Sequence, residues 1–570
     1  MFDALFTTTT EYKKLSHALS GKGACALFGL PASGRAQVYA ALCRQLDKPL
    51  CIVTPGEAEA TRFAADLNTL GIPAAVFPAR DYVLRPIEGT AREYEYRRLA
   101  VLGELVGGRL RAVAVPAEAL TQFTTPKEDF CANTRTLHAG DTLLRDDLLA
   151  ALFGAGYTRR AQVDGPGQFS VRGDIVDIFA PDQKMPVRME FWGDEIDTLH
   201  TFDLTTQRRE DAIDKFYLSP AREVLFGKPA DAAEQLRAFL AKQRGKKKTA
   251  MADCMAADLD LLDGGAVPVN MDKYLAVRYP HPATVLDYFD DPILVAEEPA
   301  SIREADRATA YRRGEELKSL ILDGVLCAGL DNLYADPSCL WSKTGHYRTI
   351  CAENFARSMP DQPLKDIINA PAHSLPAWNG EVAGLLEDLK PLCDAGYTVT
   401  LLAGTDRAAA GLARDLRDKG ILVTTDAAAA PAAGLVQVLA GHLSAGCEFP
   451  FAKYALLTGR AFGETSSQKK KRKKAKDALN SLTEITPGDL VVHQNHGIGR
   501  YAGIQRMAVQ GVTKDYLRIE YDKKDVLYVP VTQLDLLSRY TAPGDSENVK
   551  LSRLGGAEWT KTRKKVRAAT

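Results

Sequence analysis

Short apolar runs alternate with amphipathic stretches over the first 115 residues of the chain. Four of these runs have the length of a buried strand: residues 24–28, 50–54, 74–77 and 112–116. Between them, residues 35–46 and 57–70 place apolar side chains at the three- to four-residue spacing of a helix. This alternation of strands and helices predicts an α/β domain with a buried parallel sheet.

From about residue 143 the pattern changes to an alternation of apolar and polar side chains. Residues 169–179 (FSVRGDIVDIF) and 187–192 (VRMEFW) both follow it, with a break at proline and aspartate between them. One buried face and one solvated face are typical of antiparallel strands. We therefore expect a small α+β insert in the first domain.

The remainder of the chain contains three further regions with a clear pattern and a basic C-terminal segment. Apolar runs at 284–289 and 293–296 return to α/β character, and a second strand–helix unit follows at 398–403, 407–419, 436–440 and 454–458. Residues 488–538 are rich in β-branched and aromatic side chains with turn signals between them, which predicts a small β-barrel. A basic helix is expected to begin near residue 556.

Composition refines this outline. A single hydrophobic core rarely exceeds roughly 250–300 residues, so a chain of 570 residues should form three to five domains. No apolar run is long enough to span a membrane, and the first residues lack the pattern of a signal peptide. The ten cysteines contain no CxxC pair, which argues against a zinc site or a disulfide framework and favours a cytoplasmic location.

The net charge of -1 conceals two basic segments. Residues 469–476 hold seven basic side chains in eight positions, and residues 546–570 hold seven basic against two acidic. The first segment is interpreted equally well as a solvated linker or as a contact to phosphates, whose affinity would fall with added salt.

Residues 29–36 (GLPASGRA) follow a predicted strand and open a predicted helix, as a phosphate-binding loop does. Gly29 and Gly34 have the required spacing, but Arg35 replaces the lysine and Ala36 the metal-binding hydroxyl. Pro31 removes one backbone donor. We interpret the loop as a degenerate, non-functional phosphate loop in which the glycines permit a tight turn.

A second ATPase feature is also incomplete. Residues 284–299 resemble a strand that would end in an Asp-Glu metal-binding pair, but Ala296 stands in the aspartate position before Glu297. Two half-sites without their essential ligands favour a fold without ATPase activity, so we expect no catalytic residues and no cofactor in this chain.

Motifs distributed along the whole chain resemble known families. Residues 1–330 resemble the excision-repair protein UvrB, most clearly at 169–179 and at 187–197 (VRMEFWGDEID). Three further motifs are similar to the transcription-repair coupling factor family: 489–503 (DLVVHQNHGIGRYAG), 527–531 (LYVPV) and 554–559 (LGGAEW). In that family the chain continues into a DNA-translocating ATPase, which would use ATP and Mg²⁺. The resemblance therefore implies an N-terminal portion without the motor.

The resemblance implies a multi-domain fold of α/β and α+β type: a degenerate RecA-like, UvrB-homology module with an α+β insert, plus a small Tudor/CarD-like β-barrel. The expected boundaries are 1–118 and 218–345 for the UvrB-like α/β domain, 119–217 for a UvrA-binding insert, 370–462 for a small α/β domain of unknown role, 463–483 for a basic linker, 484–546 for an RNA polymerase-interacting barrel, and 552–570 for the start of a relay helix.

In the family, the insert binds UvrA. The matching residues are Arg172, Arg188 and Trp192, two bidentate donors and a rigid indole on neighbouring solvated strand faces. Without the family match, surface salt bridges beside a half-buried tryptophan would be the better interpretation. We expect Arg188→Ala to weaken UvrA capture without unfolding the domain.

The barrel binds the RNA polymerase β subunit in the family by adding a strand to its sheet. Residues 503–509 (GIQRMAV) match that edge strand, and Ile504, Gln505, Arg506 and Met507 are the expected contacts. An ordinary barrel strand with a protected edge is the alternative interpretation.

His493 and His496 lie three residues apart, which is also a metal-ligand spacing. Because no third ligand is evident nearby, we expect no metal and interpret both as hydrogen-bonding the turn before Gly497.

These observations and the resemblance predict a monomeric adaptor that bridges stalled RNA polymerase and UvrA. In the intact family protein, ATP-driven translocation on double-stranded DNA displaces the polymerase, with DNA held mainly by the motor. Two alternatives remain: a UvrB-like ATPase or helicase, and a stand-alone DNA-binding protein.

Overall fold

The computed structural model describes residues 3–86, 92–356, 363–378, 382–459, 485–493, 496–509, 512–522, 525–530, 536–540 and 551–553. Within these ranges the fold is mixed α/β, with five separate sheets. Every helix in the described part of the chain is too short or too polar to cross a bilayer.

Residues 1–132 supply the first half of an α/β domain. Its elements are α1 (Asp3–Thr7), α2 (Thr10–Ala18), β1 (Gly23–Phe28), α3 (Ala32–Leu46), β2 (Leu50–Thr54), α4 (Glu57–Thr69), β3 (Ala74–Val76), α5 (Glu93–Val106), β4 (Ala112–Pro116), α6 (Ala117–Leu120) and α7 (Lys127–Ala132). The four predicted strands are confirmed, two of them to the residue.

The insert forms a six-stranded sheet and a two-stranded ribbon. Its elements are β5 (Arg135–His138), α8 (Arg145–Gly154), β6 (Thr158–Arg159), β7 (Gln168–Arg172), β8 (Ile175–Phe179), β9 (Val187–Trp192), β10 (Glu195–Phe202), β11 (Arg209–Ala212) and β12 (Lys215–Leu218). The order is β11-β10-β9-β8-β7-β6, antiparallel except for β6 beside β7, and β12 pairs with β5. The expected antiparallel insert is confirmed.

The chain then returns to the first domain through a helical segment. Its elements are α9 (Pro229–Ala241), α10 (Gly245–Asp263), α11 (Leu275–Arg278), β13 (Ile293–Glu297), α12 (Pro299–Leu322), α13 (Ser338–Lys343), β14 (Arg348–Glu353) and β15 (Leu364–Asn369). The apolar run at 284–289 is a 3-10 turn, Val285–Tyr288, because Thr284 and Asp287 form a reciprocal capping box at its start.

The first domain is built on a seven-stranded, all-parallel sheet with the order β15-β1-β14-β13-β2-β4-β3. Successive residues of one strand enter two different cores: Ile52 packs with α3 and α4, whereas Val53 packs with α5 and α12. Both faces are therefore buried, which explains the continuous apolar strands of the sequence.

A smaller mixed sheet follows, with the order β16-β20-β21-β17-β19-β18. Its elements are β16 (His373–Leu375), α14 (Val382–Asp394), β17 (Thr398–Leu402), α15 (Asp406–Asp418), β18 (Val423–Thr424), β19 (Val436–Leu439), β20 (Gly446–Phe449) and β21 (Tyr454–Thr458). Phe449 and Tyr454 of this sheet pack into the same core as Phe6 of α1, so the small domain is fixed against the first one.

The last described sheet is antiparallel, with the order β25-β24-β23-β22-β26. Its strands are β22 (Leu490–His493), β23 (Gly497–Val509), β24 (Val512–Glu520), β25 (Val526–Pro530) and β26 (Leu537–Arg539). The predicted basic linker and the predicted helix at residues 556–570 lie outside the described residues.

Candidate functional sites

Residues 29–34 form the turn after β1 and the first residues of α3, and other parts of the chain cover them. Gly29 has a φ of +88°, and a Cβ atom there would lie 3.0 Å from Asn369 Oδ1. At Gly34 a Cβ atom would lie 2.8 Å from the sulfur of Cys447. Ser33 also donates a hydrogen bond to the Gly446 carbonyl, at 3.3 Å. Polypeptide thus packs against both ends of the loop.

Arg35 and the acidic end of β13, which the sequence presented as two separate half-sites, meet in the structure. The Arg35 guanidinium lies 3.0 Å from Glu297 Oε2 and 2.9 Å from Glu298 Oε1. The Tyr39 hydroxyl donates to Glu297 at 2.5 Å. Burial raises the pKa of Glu297, although the arginine opposes the shift. The arginine side chain is engaged inside the protein and is 5% exposed.

The insert sheet contains an ion-pair cluster around Asp177, a residue that the sequence analysis did not single out. Asp177 lies opposite Arg188 in the register of β8 and β9 and has no exposed surface. Arg188 donates to both carboxylate oxygens, at 2.7 and 2.9 Å, and its guanidinium lies 4.7 Å from the centre of the Phe202 ring. Arg172 reaches the same carboxylate at 2.7 Å.

This geometry corrects one expectation about the insert. Arg188 was expected on a solvated face, but it is only 8% exposed, because the buried carboxylate opposite holds its guanidinium against the sheet. Arg172 and Trp192 are accessible as expected: the arginine side chain is 48% exposed and the indole 82%. The pairing of Asp177 and Arg188 had one sequence signal, an acidic residue in the middle of an otherwise apolar strand.

The hairpin β23–β24 extends beyond the rest of its sheet. Strand β22 pairs with residues 497–500 of β23, whereas β24 pairs with β23 from Arg500 to Val509. In the described part of this sheet, residues 503–509 therefore form ladder pairs on one side. Ile504 is 43% exposed. Residues 503–509 of β23, together with the residues of β24 that pair with them, are the hairpin arm. The backbones of Arg506 and Met507 lie in this hairpin arm, while their side chains lie outside the described residues.

The two histidines before β23 contact the first domain. His496 Nε2 lies 3.0 Å from Glu93 Oε1, at the start of α5, and the His493 and His496 rings are 4.7 Å apart between centroids. Burial lowers the pKa of His493 to about 4. Burial also opposes ionisation of Glu93, but the hydrogen bond to His496 and the two imidazoles outweigh it and hold that pKa at about 2. The expectation that no third polar partner lies nearby was wrong.

Comparisons with known proteins match the insert sheet and the last sheet to two described domain families. A family model described as UvrB interaction domain matches residues 136–224, and one described as CarD-like/TRCF RID domain matches residues 485–541. The transcription-repair-coupling factor of Bacillus subtilis (strain 168) is 28% identical over 563 residues, covering 95% of this chain and 47% of that protein. Those of Staphylococcus haemolyticus (strain JCSC1435) and Staphylococcus aureus (strain MRSA252) are 28% and 26% identical, each covering 94% of this chain and 47% of the relative.

Transcription-repair-coupling factors are homologues of this chain along almost its whole length. The resemblance that the sequence motifs predicted is thereby confirmed. The chain spans about half the length of the curated relatives it matches. The matched segments contain the insert sheet, with Arg172 and Trp192, and the sheet that contains the hairpin arm.

Proposed function

We propose that this chain is an adaptor of transcription-coupled DNA repair, which binds RNA polymerase through the β23–β24 hairpin and UvrA through the insert sheet. One edge of β23 at residues 503–509 has no ladder partner among the described residues and lies inside the segment matched by the CarD-like/TRCF RID description, and this edge carries the proposal. In full-length relatives of this kind we expect the same region to act beside an ATP-driven DNA translocase.

The polymerase contact is proposed to form by strand addition to the open edge. An edge strand presents unpaired backbone N–H and C=O groups, so a strand of the partner can continue the ladder. The exposed side chain of Ile504 would then pack on the added strand, with Gln505, Arg506 and Met507 supplying further contacts. The polymerase β subunit is the proposed partner because the resemblance implies it.

The UvrA contact is proposed to form through exposed side chains of the insert sheet, not through the backbone of a strand edge. Trp192 offers a large rigid ring at the end of β9, and Arg172 offers a guanidinium whose charge is already oriented by Asp177. Exposed tryptophan and arginine dominate the binding energy of many interfaces. Arg188 binds Asp177 within the sheet and is not itself a proposed contact.

We propose that the loop at 29–36 is a degenerate phosphate loop and does not hydrolyse ATP. Its helix start is packed against β20, and Arg35 is bound to Glu297 and Glu298, so neither is arranged to receive phosphates. Incubating the chain with ATP and Mg²⁺ and measuring phosphate release tests this; turnover above the buffer blank would contradict it.

The decisive experiment measures binding of the whole chain to purified polymerase β subunit and to purified UvrA, each alone. Ile504→Asp should weaken polymerase binding roughly 30-fold or more and leave UvrA binding unchanged, since it places a charge on the docking edge. Trp192→Ala should do the reverse. Each variant is therefore the matched control of the other.

If Ile504→Asp still binds polymerase normally and Trp192→Ala still binds UvrA normally, the proposed surfaces are refuted. If the chain binds neither partner but binds duplex DNA with an affinity that falls steeply with salt, the DNA-binding alternative replaces the adaptor. Removing the positive charges of residues 469–476 would then abolish that affinity.

A further inference from the structure

Three side chains from two distant parts of the chain converge between the first domain and the last sheet. Glu93 is the first residue of α5, His493 ends β22, and His496 lies in the turn before β23. One ligand-type atom from each residue lies within 4.8 Å of the other two. About 400 residues separate the carboxylate from the imidazoles along the chain.

The spacing of these atoms is close to that around a bound metal ion. Zinc–nitrogen and zinc–oxygen bonds of 2.0–2.2 Å in a tetrahedron place neighbouring ligand atoms roughly 3.3 Å apart. The contact between His496 Nε2 and Glu93 Oε1 is 3.0 Å. The other pairs lie within 4.8 Å, so binding an ion would draw them inward by at most roughly 1.5 Å.

The three side chains of the cluster differ in their exposure to solvent. His493 has no exposed surface, the Glu93 side chain is 12% exposed, and the His496 side chain is 28% exposed. The buried members would exclude competing water, while the His496 side leaves an entry path and room for a fourth ligand.

We propose that Glu93, His493 and His496 form a site for one divalent transition-metal ion, with Zn²⁺ the best match, that joins the first domain to the last sheet. Two imidazole nitrogens and one carboxylate oxygen are a three-ligand set that Zn²⁺ accepts, with water completing the tetrahedron. Purely oxygen-liganded ions such as Mg²⁺ and Ca²⁺ are disfavoured by the two nitrogens.

The consequence of such a site is mechanical. An ion held from both sides would fix the start of α5 relative to β22 and the start of β23. Occupied, the site would add a metal cross-link to the hydrogen bond that already joins Glu93 and His496. This role does not depend on which partner the arm binds.

The test uses the full chain stripped of metal by a chelator and then dialysed. Isothermal titration with Zn²⁺ should give one tight site, and Co²⁺ as a probe should give the visible absorption of a four-coordinate N/O site. Zn²⁺ should also raise the temperature of unfolding, since it binds the folded state selectively.

Glu93→Gln and His496→Gln test the ligands, because both residues are partly exposed and both replacements keep a polar side chain. Each should weaken Zn²⁺ binding by at least about 100-fold, more than the loss of an outer hydrogen-bonding partner causes. His17→Gln and Cys254→Ser are the matched controls for other imidazoles and thiols, and should bind as the unaltered chain does.

Two results would overturn the proposal. One is the absence of a tight Zn²⁺ site in the unaltered chain, which would make the cluster a hydrogen-bonded contact alone. The other is equal Zn²⁺ affinity in both ligand variants and the unaltered chain, which would place the ion elsewhere. Circular dichroism of each variant separates loss of the site from loss of the fold.

Discussion

Removing the Arg188 side chain should destabilise the insert rather than merely alter its surface. Arg188 makes two hydrogen bonds to Asp177, a third to the Gln207 carbonyl at 3.0 Å, and lies over the ring of Phe202. In Arg188→Ala the fully buried carboxylate keeps Arg172 as its described cationic neighbour, at 2.7 Å. The buried Asp177 carboxylate therefore loses two of the three hydrogen bonds that it accepts from arginine side chains.

The magnitude follows from the burial of the pair. Breaking a buried ion pair by removing one partner costs about 3–5 kcal/mol, and the remaining arginine places this case near the lower value, about 3 kcal/mol. Arg172→Ala removes an ion-pair partner whose side chain is 48% exposed, so about 1 kcal/mol or less is expected. Replacing Arg188 by Met and Asp177 by Asn together should cost less than Arg188→Met alone, since no buried charge is then left unpaired.

Hydrogen exchange of the intact chain is the appropriate assay, because a chain with several cores does not unfold in a single transition. Amides of β8 and β9 should exchange roughly a hundredfold faster in Arg188→Ala, the equivalent of about 3 kcal/mol. Amides of β17 and β21, in a separate sheet, serve as the internal control and should not change.

Unchanged exchange of β8 and β9 in Arg188→Ala would refute the reasoning, as would an equal effect of Arg172→Ala. The outcome also decides how UvrA binding data are interpreted. A loss of binding in Arg188→Ala would report a loosened insert, whereas a loss in Trp192→Ala would report the contact itself.

Three further predictions concern the first domain. Burial raises the pKa of Asp306 to about 6, so the cost of ionising it in the folded state is absent below about pH 4, develops between about pH 4 and 6, and is complete above pH 6. Asp306→Asn should therefore stabilise α12 by about 1–2 kcal/mol at pH 8 and by much less near pH 4, measured by hydrogen exchange of the α12 amides at both pH values. Replacing Arg35 by Lys and Ala36 by Thr together should not create ATPase activity, because the helix start stays covered; phosphate release above the blank would contradict this. Gly34→Ala should overpack the contact with Cys447 and lower the local free energy of unfolding by about 1–3 kcal/mol, measured by hydrogen exchange of the α3 amides, and Cys447→Ala should reverse part of the loss.

The sequence predicted individual strands and helices where the burial of an element sets the spacing of its own apolar residues. Strands β2 and β4 were predicted to the residue, because both faces of the parallel sheet are buried and each strand is a continuous apolar run. The order of the strands was not predictable. Strand β13 inserts between β2 and β14 after a detour of about 240 residues, and no local pattern records that neighbour.

The candidate sites show the same division. Trp192 and Arg172 were identified from a local motif and are exposed in the structure. Asp177 was missed, because its partner Arg188 lies on another strand and only the register of β8 and β9 brings the two side chains together. Glu93 was missed for a stronger reason: its partners are on a sheet some 400 residues away, so its role is defined entirely by tertiary contact.

The covered loop gives a physical reason for its glycines that does not involve phosphate. Gly29 has a left-handed φ of +88° and lies against Asn369, and Gly34 lies where any side chain would meet Cys447. Both glycines are thus required by the packing of neighbouring segments on the turn. The small α/β domain, whose role the sequence did not reveal, supplies the second of these contacts through β20. The contacts of β20 with Ser33 and Gly34 therefore hold the start of α3 against the small domain.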